Sequence, residues 1–181
     1  MKIYFDGCSF TWGDELEDNY TSRYSRLLCN HFGAEEYNIA KRGGSNRRIV
    51  RNILEHDVSQ YDLFIIQMTK RQRTEYYSED DNKWKAVSHT PWEPERSYDV
   101  WNDYYKNIYQ DEYGKVDELM YYTILRNHLR DVPHRIIWFG NYNMTLPVDI
   151  KFPKGSYTKA EKGHPDENGH KKICQDLLDI L

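Results

Sequence analysis

The sequence lacks the features that would place it in several large classes of protein. Its three cysteines, Cys8, Cys29 and Cys174, are too few and too widely spaced for a disulfide framework or a zinc site. It contains no run of about 20 apolar residues, the length that spans a bilayer. Its net charge of −4 argues against general nucleic-acid binding, which usually depends on a strongly basic domain.

The amino terminus also lacks the apolar stretch of a signal peptide. Residues 3–5 are apolar, but Asp6 and Gly7 follow them at once. Dispersed cysteines fit a reducing compartment. We therefore expect a cytoplasmic protein that has no specific nucleic-acid partner and no association with a membrane.

The mean hydropathy of −0.92 is low for a folded protein, but aromatic residues supply apolar surface that can be buried. They make up 15% of the chain, and 16 of them are tyrosines, which bury a ring while keeping a polar tip in water. Disordered chains are poor in aromatic residues, so this composition indicates a folded protein. A length of 181 residues fits one domain.

Short apolar runs alternate with stretches of helical periodicity along the chain. We predict strands over 2–5, 36–39, 62–68 and 135–139, with a weaker one over 148–152, and helices over 22–32, 45–56, 116–129 and 166–181. This alternation predicts a three-layer α/β/α sandwich of the flavodoxin-like kind, with a central parallel sheet of about five strands. Residues from about 70 to 113 interrupt it with a polar, aromatic-rich insertion that becomes helical from about residue 98 and is typical of lids or binding loops.

Sites in such sheets form where the strands end, and three predicted strands end in residues of interest. Gly7 precedes Ser9 by two residues and permits a sharp turn, although an ordinary Gly-Ser turn has the same pattern. Gly43 and Gly44 precede a helix, where a backbone N–H can meet an anion. Thr69 is a polar residue at the end of the third strand.

The loop before the last predicted helix contains His164, with Glu161 three residues earlier. A serine becomes a nucleophile when a histidine takes its proton, and a carboxylate fixes the tautomer of that histidine. Two other interpretations remain open at this point. One is a capped helix with histidines on its surface, and the other is a metal site formed by His164, Asp166 and His170.

Together these segments resemble the four blocks of the SGNH (GDSL-like) serine hydrolases, in a small variant found in phage and bacterial genomes. The matching residues are 7–11 (GCSFT), 38–43 (NIAKRG), 67–69 (QMT) and 164–170 (HPDENGH). The resemblance implies that Ser9 is the nucleophile and that the backbone N–H groups of Ser9 and Gly43 form the oxyanion hole, with Gly44 as the alternative. Thr69 stands where most members have an asparagine donor, so we expect its hydroxyl to take that place.

The resemblance also implies that His164 is the general base. Glu161 stands where the family has the third member of the triad, usually an aspartate. Glu167 and His170 repeat the same spacing, but the family's histidine precedes the proline and the helix, which favours His164. This chemistry requires neither a metal nor an organic cofactor.

Two basic clusters follow the second and third strands. Their members are Lys41, Arg42, Arg47, Arg48, Arg51, Lys70, Arg71 and Arg73. We expect Arg42 and Arg71 to contact a small-molecule or glycan ester such as an O-acetylated carbohydrate, although charge runs are usually solvated surface. Three alternatives stay open: an inactive binding protein for an anionic or glycan ligand, a phosphodiester- or nucleotide-binding protein, and a hydrolase with Cys8 as its nucleophile.

Overall fold

A parallel sheet forms the centre of the computed structural model, which describes residues 1–87, 99–140, 145–153 and 155–181. The strands are β1 (Lys2–Asp6), β2 (Glu35–Asn38), β3 (Leu63–Met68), β4 (Thr74–Ser78), β5 (Lys83–Val87), β6 (His134–Gly140) and β7 (Ile150–Pro153). Five of them form the central sheet in the order β2-β1-β3-β6-β7, and all four pairings are parallel. The five strands predicted from the sequence are therefore confirmed, with ends that shift by one or two residues.

The described residues form seven α-helices, of which the first six lie between strands and the last follows β7. They are α1 (Ser9–Trp12), α2 (Asn19–Ser22), α3 (Tyr24–Phe32), α4 (Asn46–Glu55), α5 (Asp99–Asn107), α6 (Asp111–His128) and α7 (Glu167–Leu178). Side chains cap two of these helices at their starts: Ser45 accepts from the Arg48 N–H at 3.2 Å, and Asp166 accepts from the Gly169 N–H at 2.8 Å. Within the described part of the chain, no helix combines the length and the apolar composition needed to cross a bilayer.

Both faces of the sheet are covered by helices, which explains why its central strands are apolar throughout. Ile3 and Phe5 point to one face, where they pack with residues of α3 and α7. Tyr4 points to the other face and packs with residues of α4 and α6. The result is the three-layer α/β/α arrangement predicted from the sequence.

The insertion contains a β-hairpin that the sequence analysis missed. Strands β4 and β5 pair antiparallel, and Asn82 with a φ of 50° lies in their turn. Trp84 packs under the guanidinium of Arg51, 4.6 Å from its ring centroid, and Glu75 accepts from the same guanidinium at 2.8 Å, so the hairpin is attached to α4. Helix α5 agrees with the predicted start near residue 98. Residues 88–98 lie outside the described residues, and the single domain with an inserted lid stays a prediction.

His170 is a fully buried polar residue in the core beside α3. Its Nδ1 accepts a hydrogen bond from the Tyr24 N–H at 3.1 Å, and its ring stacks on the Tyr24 ring with centroids 5.9 Å apart. Burial lowers the pKa of His170 to about 4, an effect only partly opposed by Asp166. His170 is therefore a neutral packing residue of α7, and a proton on Nδ1 would break its hydrogen bond to the backbone.

This burial predicts that acid destabilises the protein through His170. An unfolded histidine binds its proton near pH 6.5, whereas folded His170 does so near pH 4, so the unfolded chain holds more protons between these values. Stability then falls as the pH drops, by up to about 3 kcal/mol at pH 4. Urea unfolding from pH 7 to pH 4 measures it, with His170→Asn as the reference, because Asn keeps an acceptor and does not titrate. Parallel curves for the two proteins would contradict the prediction.

Candidate active site

The turn after β1 places Ser9 at the carboxyl edge of the sheet. Ser9 is the first residue of α1 and is 5% exposed. Gln67 at the end of β3 supports this turn, since its Oε1 accepts from the Cys8 N–H at 3.1 Å and from the Thr11 hydroxyl at 2.6 Å. Gly7 is required there, because a Cβ on it would lie 2.6 Å from both Gln67 Oε1 and Thr11 Oγ1.

His164 lies directly against Ser9, although 155 residues separate them in the chain. Its Nε2 is 3.0 Å from Ser9 Oγ, and its Nδ1 is 2.7 Å from Oε2 of Glu15. The ring of Phe10 packs edge-on against the imidazole with centroids 5.3 Å apart. A serine hydroxyl, an imidazole and a carboxylate thus stand in the order and at the distances of a catalytic triad.

The carboxylate that contacts the His164 imidazole is Glu15, which corrects the expectation that Glu161 orients His164. Ala160 accepts from the Gly163 N–H at 3.0 Å and donates its own N–H to the His164 carbonyl at 2.9 Å. Glu161 is therefore at the corner of a tight turn, where its side chain is exposed. A spacing of three residues before the histidine does not bring a side chain onto the ring when the backbone turns between them.

Several hydrogen bonds keep Glu15 ionised and in place. Its carboxylate accepts from the backbone N–H of Lys162 at 2.6 Å and from that of His164 at 3.0 Å, besides the imidazole. Burial raises the pKa of Glu15, but these hydrogen bonds outweigh it and hold the pKa below its ordinary value. Because an ionised carboxylate only accepts hydrogen bonds, we assign the imidazole proton to Nδ1, which leaves Nε2 free to accept from Ser9.

In the sequence, Glu15 is one of two adjacent acidic residues after the first glycine-serine turn, and its residue type alone does not distinguish it from Asp14. The φ of Glu15, 68°, lies in the left-handed region that non-glycine residues rarely adopt. Such conformations cluster at functional sites, where the surrounding contacts compensate for their strain. Nothing in the sequence marks this backbone conformation.

Asp14 is a second carboxylate close to the imidazole. Its Oδ2 lies 3.8 Å from His164 Nε2, beyond a hydrogen bond, and its Oδ1 pairs with the Arg42 guanidinium at 2.5 Å. Arg42, which we expected to contact substrate, is 67% exposed and links the loop after α1 to the glycine turn before α4.

The glycine turn lies beside the turn that carries Ser9. The Lys41 N–H donates to the Gly7 carbonyl at 3.2 Å, and a Cβ on Gly44 would lie 2.7 Å from the same oxygen. Gly43 has a φ of 69°, and the Gly44 N–H donates to the Lys41 carbonyl at 2.8 Å. The Gly44 N–H is thus already used, whereas the Gly43 N–H makes no hydrogen bond within the described residues, which favours Gly43 as the oxyanion donor.

Thr69 is buried at the end of β3 and is held by Asn46, a residue that the sequence analysis did not single out. The Asn46 Oδ1 accepts from the Thr69 N–H at 2.7 Å and from its hydroxyl at 3.3 Å, and the Asn46 Nδ2 donates to the Thr69 carbonyl at 3.1 Å. These contacts join the start of α4 to the end of β3. They engage the hydroxyl that we expected to replace the family's asparagine donor.

Arg71 does not stand free at the site, which corrects the expectation that it contacts substrate. Its side chain is 7% exposed and lies 3.3 Å from Asp111 and 3.7 Å from Glu118. Glu118 is itself buried in α6. Arg71 therefore attaches the loop after β3 to α6, and two carboxylates already neutralise its charge.

The open alternatives of metal binding and a cysteine nucleophile find little support in the described geometry. No group of three His, Cys, Asp or Glu residues there is arranged to hold a metal ion. Asp166 instead contacts Thr158 at 2.5 Å. Cys8 is buried, and its Sγ accepts from Gln67 Nε2 at 3.1 Å, whereas the imidazole of His164 contacts Ser9.

Comparison with known proteins identifies similar structures. No family model and no curated protein matches the chain. A family two carbohydrate esterase from Clostridium thermocellum, solved with cellohexaose, is 16% identical with a TM-score of 0.55, over 98% of this chain and 62% of that one. A catalytic mutant of the acetylxylan esterase Axe2 from Geobacillus stearothermophilus is 15% identical with a TM-score of 0.52, over 99% and 93%. TesA is 10% identical with a TM-score of 0.59, over 100% and 98%.

These similarities concern the fold, because all three identities are low. The chain spans about three fifths of the length of the Clostridium esterase. The neighbours include carbohydrate esterases and a lipolytic protein of the G-D-S-L family. The resemblance stated from the four sequence segments is thereby confirmed at the level of architecture: this chain has the three-layer α/β/α fold of the SGNH/GDSL-type esterases.

Proposed function

We propose that the protein is a serine ester hydrolase that works through an acyl-enzyme on Ser9. The observation that carries this proposal is the continuous hydrogen-bonded series from Ser9 Oγ through the His164 imidazole to Glu15, with distances of 3.0 and 2.7 Å. Such a series makes a weakly nucleophilic hydroxyl reactive. The fold of the similar esterases supports it, since their architecture is the same.

In the proposed reaction, His164 Nε2 takes the proton of Ser9 as Oγ attacks the ester carbonyl. Glu15 stabilises the imidazolium that forms, and His164 then protonates the leaving alcohol. Water, deprotonated by the same imidazole, attacks the acyl-enzyme, releases the acid and restores Ser9. The proton transfers and the two nucleophilic attacks thus use these three side chains, the ester and water.

The backbone N–H groups of Ser9 and Gly43 are the proposed oxyanion donors. One such donor is typically worth about 10²–10³ in rate. Because the Thr69 hydroxyl already contacts Asn46, we expect turnover to depend mainly on these two backbone groups. Gly43 suits this role because its N–H faces no acceptor within the described part of the chain.

The proposed substrate class is a small acyl ester of a carbohydrate. Several similar structures are carbohydrate or acetyl xylan esterases. Between the end of α1 and the glycine turn lies an open cavity of about 390 Å³, lined by Trp12, Gly13, Leu16, Asn19, Ala40, Lys41 and Arg42. An indole suits the face of a sugar ring, and the polar side chains of Asn19, Lys41 and Arg42 suit its hydroxyl groups.

A second candidate is a glycan- or anion-binding protein that retains the esterase fold without turnover. It is favoured by the engagement of the Thr69 hydroxyl with Asn46, which removes a side-chain donor from the proposed oxyanion hole. One of the similar structures is described as a carbohydrate esterase whose active site displays divergent catalytic and non-catalytic binding functions. The reactivity of Ser9 separates the two candidates.

Labelling with a fluorophosphonate probe tests this reactivity. We expect the wild-type protein to be labelled, and Ser9→Ala and His164→Ala to lose labelling, because an unactivated serine does not attack the probe. Cys8→Ala should still be labelled, which excludes the neighbouring thiol as nucleophile. A folded wild-type protein that resists the probe would contradict the hydrolase proposal and favour the binding protein.

Matched substitutions of two glutamates test which carboxylate orients His164. We expect Glu15→Gln to lower kcat for 4-nitrophenyl acetate by about 10²–10⁴, since loss of the orienting carboxylate in a triad costs up to about 10⁴. Glu161→Gln should change kcat less than about twofold, because Glu161 is exposed at a turn. Thermal unfolding of both variants controls for the backbone contacts of Glu15. The reverse ranking of the two variants would restore Glu161 to the triad.

A further inference from the structure

The glycine turn at residues 41–44 is surrounded by more cations than carboxylates. Lys41 and Arg42 belong to the turn itself, and Nη1 of Arg73 reaches the Gly44 carbonyl at 3.5 Å. Asp14 balances Arg42. Across the described residues, neither Lys41 nor Arg73 forms an ion pair with a carboxylate. The amino-terminal end of α4 follows directly and adds a positive dipole end.

Among the described residues, two arginines around this turn form no ion pair: Arg73, and Arg47, which is exposed and stacks over the Trp84 ring at 5.8 Å. The paired ones are Arg42 with Asp14, Arg48 with Asp6, Arg51 with Glu75, and Arg71 with Asp111 and Glu118. Arg73 is half-buried, and among the described residues its single polar contact is one long hydrogen bond to a carbonyl. A guanidinium has five N–H donors, so most of its hydrogen-bonding capacity remains unused.

Because Arg73 is only partly buried, water reaches its guanidinium, and its unused donors are open to a ligand of opposite charge. The position of Arg73 indicates where that ligand lies. Its guanidinium contacts the carbonyl of Gly44, which is one residue from the N–H proposed to hold the oxyanion. A negative group on the substrate could therefore reach Arg73 while the ester carbonyl lies at Ser9.

We propose that Arg73 binds a negatively charged group on the ester, and that the substrate is an acyl ester of an acidic sugar or another carboxylate-bearing molecule. This inference rests on the proposed hydrolase function. A planar guanidinium pairs with a carboxylate through two parallel hydrogen bonds, which gives orientation as well as attraction. Arg73 is then a specificity-determining residue that acts on substrate binding.

The competing role for the same charge is stabilisation of the oxyanion. An oxyanion forms on every ester, so that role would aid neutral and charged substrates equally. A substrate-binding role aids only the charged member of a matched pair. The comparison of such pairs therefore distinguishes the two roles of Arg73.

The experiment measures kcat and KM for two matched pairs of esters in wild type and Arg73→Gln. In one pair the charge is on the alcohol part of the ester: acetylated methyl glucuronide is charged, and acetylated methyl glucoside is its neutral counterpart. In the other pair the charge is on the acyl group: 4-nitrophenyl hemisuccinate is charged, and 4-nitrophenyl acetate is its neutral counterpart. We expect the wild-type protein to prefer the charged member of one pair by about tenfold or more in kcat/KM. The pair in which the preference appears shows whether the charge belongs on the alcohol or on the acyl group. Arg73→Gln should lose that preference mainly through KM, and Arg73→Lys should keep part of it.

Arg130→Gln is the matched control, because it removes the same charge from a site far from the glycine turn. Arg130 is 74% exposed and precedes β6, at the edge of the sheet opposite Ser9. The preference should survive in this variant and should weaken with added salt in the wild-type protein. Equal losses on charged and neutral esters in Arg73→Gln, or no preference in the wild-type protein, would overturn the inference.

Binding to Ser9→Ala covers the case in which Arg73→Gln does not fold. Ser9→Ala is titrated in a calorimeter with both pairs of esters. We expect tighter binding of the charged member of one pair, either the acetylated glucuronide over the glucoside or the hemisuccinate ester over the acetate ester. Equal binding within both pairs contradicts the role of Arg73. Failure of the proposed function is a separate result, since it appears as a wild-type protein that neither accepts the fluorophosphonate nor hydrolyses any of the esters.

Discussion

The carboxylate of Glu15 is the contact on which the site depends. It joins the loop after α1 to the loop before α7, across 149 residues of chain, through the imidazole and two backbone N–H groups. One side chain thereby fixes the tautomer of His164, the orientation of its ring and the path of the backbone that carries it. The left-handed conformation of Glu15 is a local cost that these three hydrogen bonds offset.

A second layer of buried polar contacts holds the neighbouring turns at the same edge. Asp6 accepts from Arg48 at 2.7 Å and from Asn52 at 3.0 Å, which ties the end of β1 to α4. Gln67 supports the turn of Ser9 from β3, and Asn46 joins α4 to the residue after β3. Since buried polar groups are expensive without partners, each pairing restricts how the two turns can lie against each other.

Most of the sheet and its covering helices were predictable because their signals are local. Apolar runs that are buried on both faces specify parallel strands, and Ser45 and Asp166 mark helix starts by capping them. The hairpin of β4 and β5 was missed because its residues are mostly polar and aromatic. Its burial comes from packing on α4 through Trp84 and Glu75, which no local pattern reveals.

The sequence by itself determined the α/β class. It also placed Ser9 directly after an apolar strand and His164 in the loop before a capped helix. Those features depend on neighbours within a few residues, so local periodicity is enough to find them. Only the tertiary structure decided which glutamate contacts the imidazole, and that Arg71 but not Arg73 pairs with carboxylates among the described residues. Glu15 and Glu161 are equivalent as residue types, and Arg71 and Arg73 lie two positions apart. Contacts between distant parts of the chain make the difference in each case. The turn at 160–163 keeps Glu161 away from the imidazole, and Asp111 and Glu118 pair with Arg71.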